Sequence, residues 1–104
     1  MKKYTLNNLK GILANGKTVR IHLEEQIKGI PHMTAILIRR MDVLFKDKFN
    51  KETYSLLIEK FDSRYHSSDT PKVIEIHEEF NAVEEVIIYL VNNKFIKRED
   101  LIEN

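Results

Sequence analysis

The chain has 104 residues, 42% apolar by type and 32% charged, with a net charge of +1 and neither cysteine nor tryptophan. Folding at this length buries roughly 60–70% of the surface that the unfolded chain exposes, enough for one core, so a single domain over residues 1–104 is expected. Zero cysteines exclude disulfide frameworks, thiolate zinc sites, iron–sulfur ligation and cysteine nucleophiles together.

An ordinary apolar fraction and near-balanced charge argue against disorder. The longest uninterrupted apolar run, Val86-Ile87-Ile88-Tyr89-Leu90-Val91, is far short of the roughly 18 residues of a transmembrane helix. Lys2 and Lys3 are followed by Tyr4-Thr5-Leu6-Asn7-Asn8 where a secretory signal would place an apolar stretch, so a cytoplasmic location is expected. Ile (13), Lys (12) and Asn (8) supply about a third of the chain. Their codons are AT-rich, which points to a low-GC bacterium or one of its phages.

In chain order, Thr5 is placed to cap a helix over residues 6–14, whose Leu6, Leu9 and Leu13 share a face, and Asn15-Gly16 ends it. Val19, Ile21 and Leu23 alternate with Arg20, His22 and Glu24, which predicts a half-buried strand over about 18–27. Lys28-Gly29 reads as a turn. Residues 31–46 fit two templates. As a strand, Met33, Ala35, Leu37, Met41, Val43 and Phe45 share a face with Arg39 as the misfit; as a helix, Met33, Ile36, Leu37, Met41, Leu44 and Phe45 do, with Arg40 as the misfit. The β-branched Thr34, Ile36, Ile38 and Val43 favour the strand, and hence a hairpin of 18–27 with 33–45.

Asn50 then caps a predicted helix in which Tyr54, Leu57, Ile58, Phe61 and Tyr65 recur at helical spacing. His66-Ser67-Ser68-Asp69-Thr70-Pro71 is a loop by composition. Residues 72–80 read as a strand with Ile74 and Ile76 inward, and Asn81 caps a last long helix to about residue 93, with a final helical turn over 97–103. The expected fold is therefore α+β: helix, β-hairpin, helix, strand, helix, with the helices packed on one face of a short, mainly antiparallel sheet. The segments 18–25 and 72–79 echo each other faintly, as amphipathic strands do.

Chemistry has few candidates. His22, His32, His66 and His77 are scattered, and His77-Glu78-Glu79 lacks the second histidine of a zinc-protease helix. His22 and His77 would form a two-histidine, carboxylate site only if their strands paired. His66, Ser67, Ser68 and Asp69 have the residue types of a hydrolase triad, but consecutive loop residues do not converge as a triad must. Adjacent carboxylates such as Glu24-Glu25 and Glu84-Glu85 point different ways, and three glycines make no phosphate-binding loop. No catalytic residue, metal or cofactor is assigned, and the chain is expected not to be an enzyme.

Charge is distributed more informatively. Residues 1–48 hold ten Lys/Arg against four Asp/Glu, a net +6, and residues 49–104 hold seven against twelve, a net −5. Lys2, Lys3, Lys10, Lys17 and Arg20 form an acid-free leading stretch suited to phosphates, which supports an alternative reading as a nucleic-acid-binding regulatory protein. A helix–turn–helix over 81–103 is disfavoured, because Glu99, Asp100 and Glu103 give its second helix the wrong sign for a groove. The acidic 69–85 stretch, and the arginine that falls on an apolar face at 39 or 40, point to protein contacts instead. Arg39, Arg40, Glu78, Glu79, Glu84 and Glu85 are the candidate partner-binding residues. The preferred expectation is a small non-catalytic protein-binding modulator, of the inhibitor kind that phages or mobile elements encode, with self-association through its opposite halves.

Overall fold

A two-residue turn with both residues left-handed, Lys28 (φ 52°) and Gly29 (φ 78°), folds the first hairpin; right-handed strand twist favours such turns. The computed structural model describes residues 4–64, 72–97 and 101–102. In chain order its elements are β1 (Tyr4–Thr5), α1 (Leu6–Ala14), β2 (Val19–Ile27), β3 (Ile30–Arg40), α2 (Met41–Leu44), β4 (Tyr54–Asp62), β5 (Lys72–Phe80), α3 (Val83–Asn92) and β6 (Leu101–Ile102). Strands β2-β3-β4-β5 form an antiparallel meander, and β1 pairs with β6 in a separate two-stranded parallel sheet. The fold is mixed α+β, with three helices and a four-stranded antiparallel sheet among the described residues.

Register assigns each strand residue to a face. Val19, Ile38 and Leu56 lie in one row across β2, β3 and β4, and Ile21, Ile36, Ile58 and Ile76 form the next row across all four strands. Those rows join Leu9 and Leu13 of α1 and Val83, Val86 and Leu90 of α3 in one buried cluster. Gly16, left-handed at φ 78°, follows α1, and the Lys17 N–H donates to the Ile12 carbonyl at 3.2 Å. Towards the Lys28-Gly29 end the core face turns polar. Lys60 pairs with Glu25, and His32 Nδ1 lies 2.9 Å from the Ile30 carbonyl oxygen.

Several expectations are corrected. The helix predicted from Asn50 through Tyr65 is strand β4 over 54–62. Residues 54, 57, 58 and 61 match helical spacing only because a central strand carries apolar residues on both faces; Tyr54, Leu56 and Ile58 are buried in alternation. Segment 31–46 is a strand, but it ends at Arg40, not at residue 45, and Met41–Leu44 form a short helical turn. Its core face is Thr34, Ile36 and Ile38, so the stripe Met33, Ala35 and Leu37 lies on the opposite face.

Helix α3 starts after Ala82 in extended conformation with no side-chain cap, not at a capping Asn81. Instead of a final helical turn, Leu101–Ile102 form β6. The 66–71 loop lies outside the described residues.

The two faces of β4 differ in energetic weight. Ile58→Ala is expected to lower stability by about 2–5 kcal/mol, because Ile58 is fully buried. Leu57→Ser, on the half-exposed face, should cost less than half as much. Urea unfolding of the two variants checks this; a helical 54–65 would make both losses large.

Candidate functional site

The six candidate partner-binding residues occupy separate places. Arg40 ends the core face of β3, opposite Tyr54, whose other neighbour is Phe80. Its Nε donates to both Asp42 oxygens at 3.2 and 3.3 Å, its guanidinium lies 5.8 Å from the Tyr54 ring centroid, and Glu52 is 3.9 Å from Nη2. Asp42 Oδ1 also accepts the Thr53 N–H at 3.1 Å, and the Tyr54 hydroxyl donates to Glu52 at 2.7 Å. The strand template made Arg39 the misfit, but it is Arg40 that lies on the core face, half-buried and paired with Asp42.

Burial pushes the Asp42 carboxyl up, but the Arg40 hydrogen bond, the Thr53 N–H and the Arg40 charge outweigh it and hold the carboxyl below its usual range. The Asp42 hydrogen bond raises Arg40 further above an already high value. Burial, then the bond to Glu52, pushes Tyr54 up to about 12. Every partner in this cluster belongs to the β3–β4 connection, so its work is to fasten that connection.

Arg39 lies on the other face, in a row with Ser55 and Glu79. Glu78 sits beside Leu56 on the core-face side of the β5 edge, exposed. Glu84 and Glu85 are in the first turn of α3, where carboxylates complement the helix dipole, and Glu84 pairs with Lys10 at 3.1 Å. Of these residues the sheet brings together only Arg39 and Glu79. The basic stretch is divided too: Lys10 is on α1, Lys17 follows that helix, Arg20 is on the outward face of β2, and Lys2 and Lys3 lie outside the described residues.

The face holding Arg39 and Glu79 is the more informative site. Its next row is Arg20, Leu37, Leu57 and His77; then come His22, Ala35, Glu59 and Glu75. Beyond them Glu24, Met33 and Phe61 align, with Lys72 after an irregularity in register that skips Val73. The central apolar residues Met33, Leu37, Leu57 and Phe61 are half-buried, whereas Arg20, His22, Glu24, Glu75, His77 and Glu79 on the outer strands are exposed. Thr18, Arg20, Leu37, Arg39, Ser55 and Leu57 line a depression of about 240 Å³ there. Lys72 pairs with Glu59 at 3.2 Å and His77 with Glu75 at 3.4 Å on this face.

Leu57 and Phe61 were missed as surface residues because the helix template spent them on a core stripe. The signal for them was the unbroken Leu56-Leu57-Ile58, which a two-sided central strand accommodates. His22 and His77 share this face but stand on opposite edge strands, about 14 Å apart by strand spacing, too far to share a metal. Among the described residues no group of three or more His, Asp or Glu side chains could hold a metal ion. His66, Ser67, Ser68 and Asp69 lie outside those residues. No helix among the described residues is long and apolar enough to cross a membrane. No protein-family model matches the chain, and comparison with curated proteins and with solved structures finds no match either.

The Arg40–Asp42 contact predicts a specific pH response. Because the folded carboxyl is depressed, its contribution is present above the unfolded value near pH 3.9 and is lost as pH falls through the lower folded value. Asp42→Asn should cost about 1–3 kcal/mol at pH 7, and the deficit should shrink below about pH 4. Parallel urea titrations of wild type and variant at pH 7 and pH 3 check it.

Proposed function

We propose that this chain is a small non-catalytic protein-binding module that modulates the protein it binds, and that it docks through the sheet face opposite the buried cluster. The observation that carries the reading is the pair of half-buried apolar rows Leu37–Leu57 and Met33–Phe61, separated by Ala35 and Glu59 and bordered on both sides by exposed charged residues. That is the composition of a docking surface: an apolar centre to exclude water and a polar rim to set orientation. A sheet face of a small domain needs no such stripe when water is its only neighbour, since alternation then puts polar residues outward. The arginines fit the same reading. Arg39 borders the stripe and is available to a partner, whereas Arg40 is committed to its own connection. A cytoplasmic inhibitor encoded by a phage or mobile element is the specific form of modulator that the composition suggests.

Nucleic-acid binding is the rival reading, and its support is thinner. Lys10 is engaged by Glu84 on the helical side, while Arg20 faces outward on β2, so these bases do not form one stripe.

Capture of partners from a low-GC bacterial lysate, with and without nuclease, separates the two. Tagged wild type is expected to retain a stoichiometric protein after nuclease treatment, and Leu57→Glu to lose it with melting temperature nearly unchanged. Glu84→Lys with Glu85→Lys, placed on α3, should capture normally. Retention by Leu57→Glu would reject this face, and partners that vanish with nuclease would favour nucleic acid.

A further inference from the structure

We infer that the open sheet face is complementary to itself and takes a second copy of this chain in a face-to-face dimer with a twofold axis parallel to the strands. The inference rests on reading that face as a docking surface, for which a second copy of this chain competes with the modulated protein. A twofold along the strands keeps each row at its own height and exchanges left for right, so β2 of one copy lies over β5 of the other, and β3 over β4. Row by row, most residues then meet suitable partners, the exception being Glu59, which falls over Ala35 of the second copy. Leu37 faces Leu57 of the second copy, and Met33 faces Phe61. Arg20 falls opposite His77, between the second copy's Glu75 and Glu79, and His22 falls opposite Glu75. Glu24 falls opposite Lys72.

The other in-plane twofold, perpendicular to the strands, matches charges on the β5 edge, with His77 over Glu75 and Glu79 over Lys72, but is worse on β2 and in the centre. It sets Arg20 over His22 on the β2 edge and Leu57 over Glu59 in the centre. The apolar centre and the β2 edge together therefore favour the axis parallel to the strands. On this face β2 and β3 carry Arg20, Glu24 and Arg39, and β4 and β5 carry Glu59, Lys72, Glu75 and Glu79, so after the twofold a net +1 side lies over a net −2 side. The resulting arrangement is an aligned sandwich with sheets about 10 Å apart, an ordinary way for two apolar sheet faces to bury each other. Four strands by four rows cover roughly 500 Å² per copy. That puts the total near the lower limit for a specific interface, so a weak dimer of micromolar dissociation constant is expected, weaker at high salt.

Sedimentation equilibrium from about 1 to 200 μM tests this on the full chain, with circular dichroism verifying the fold of each variant. Arg20→Glu, and separately Glu75→Lys with Glu79→Lys, should each weaken self-association about tenfold or more. Mixing the two charge-reversed proteins should restore a dimer of wild-type affinity, because both edge contacts are then between opposite charges. Wild type that stays monomeric throughout would overturn the dimer, as would a dimer indifferent to all three reversals or an unrescued mixture. The docking reading is judged independently by Leu57-dependent capture. A monomer with that capture leaves the face for a foreign protein, and a monomer without it removes both.

Discussion

A row of four isoleucines crosses the whole sheet, and the rest of the structure depends on it. Ile21, Ile36, Ile58 and Ile76 stand in register on β2, β3, β4 and β5, with Ile36 and Ile58 at the centre completely inaccessible. Side chains alternate along a strand, so a slip of one residue in any strand would move its isoleucine to the outward face. Fixing this row fixes every other row. It puts Val19, Ile38 and Leu56 inward beside it, turns Leu37 and Leu57 outward, and leaves Arg40 and Tyr54 at the end of the core face. Helices α1 and α3 add Leu9, Leu13, Val83, Val86 and Leu90 to the same buried cluster.

Polar contacts bracket that row at both ends of the central strand pair. At one end Arg40, Asp42, Thr53 and Tyr54 hold the β3–β4 connection closed, with the Met41 N–H donating to the Thr53 carbonyl at 2.8 Å as a backbone counterpart. At the other end Lys60 and Glu25 reach across from β4 to β2, over Thr34 of β3. Neither group supplies much burial; a one-residue slip of β2 or β4 would put one member of the Lys60–Glu25 pair on the opposite face. The long connection between β3 and β4 thus ends at a defined place even though Leu44 and Phe45 within it are exposed.

Helix α1, β2, the Lys28-Gly29 turn, β5 and most of α3 were legible in the sequence because each is one-sided: an amphipathic element at the edge or on the outside of the fold displays its own period. Strand β4 was not, since it is central. Leu56-Leu57-Ile58 is apolar at both parities, and such a run satisfies helical spacing at 54, 57, 58 and 61 as well as it satisfies a strand. Only its neighbours, β3 on one side and β5 on the other, decide the matter, and those are contacts between residues distant in the chain. The same ambiguity hid the open face. Arg39, Glu79 and Arg20 were picked out by charge, but Leu57 and Phe61 had been assigned to a helix, so the stripe that unites these charges could not be seen. The residues grouped by local charge, Glu78 with Glu79 and Arg39 with Arg40, separate in the fold, because neighbours along a strand point to opposite faces.

A four-stranded open meander also has two free edges, β2 and β5, each nine residues long, and a sheet of this kind must deal with them. Here both edges carry charge on both faces. β5 presents Glu75, Glu78 and Glu79, and its register with β4 is interrupted where Val73 is skipped; β2 presents Arg20, Glu24 and Glu25. Edge-to-edge pairing of β5 with another β5 would set carboxylates beside carboxylates, and repetition of β2 on β5 would propagate into an open filament. Stacking through the face closes after two copies and uses the same charges in the opposite sense, as a rim that orients. Carboxylates that discourage growth of the sheet at its edges can thereby favour contact across its face. The outward surface, charged at both borders with Leu37, Leu57, Met33 and Phe61 on either side of the Ala35–Glu59 row, differs from a merely solvated sheet, which would be polar throughout.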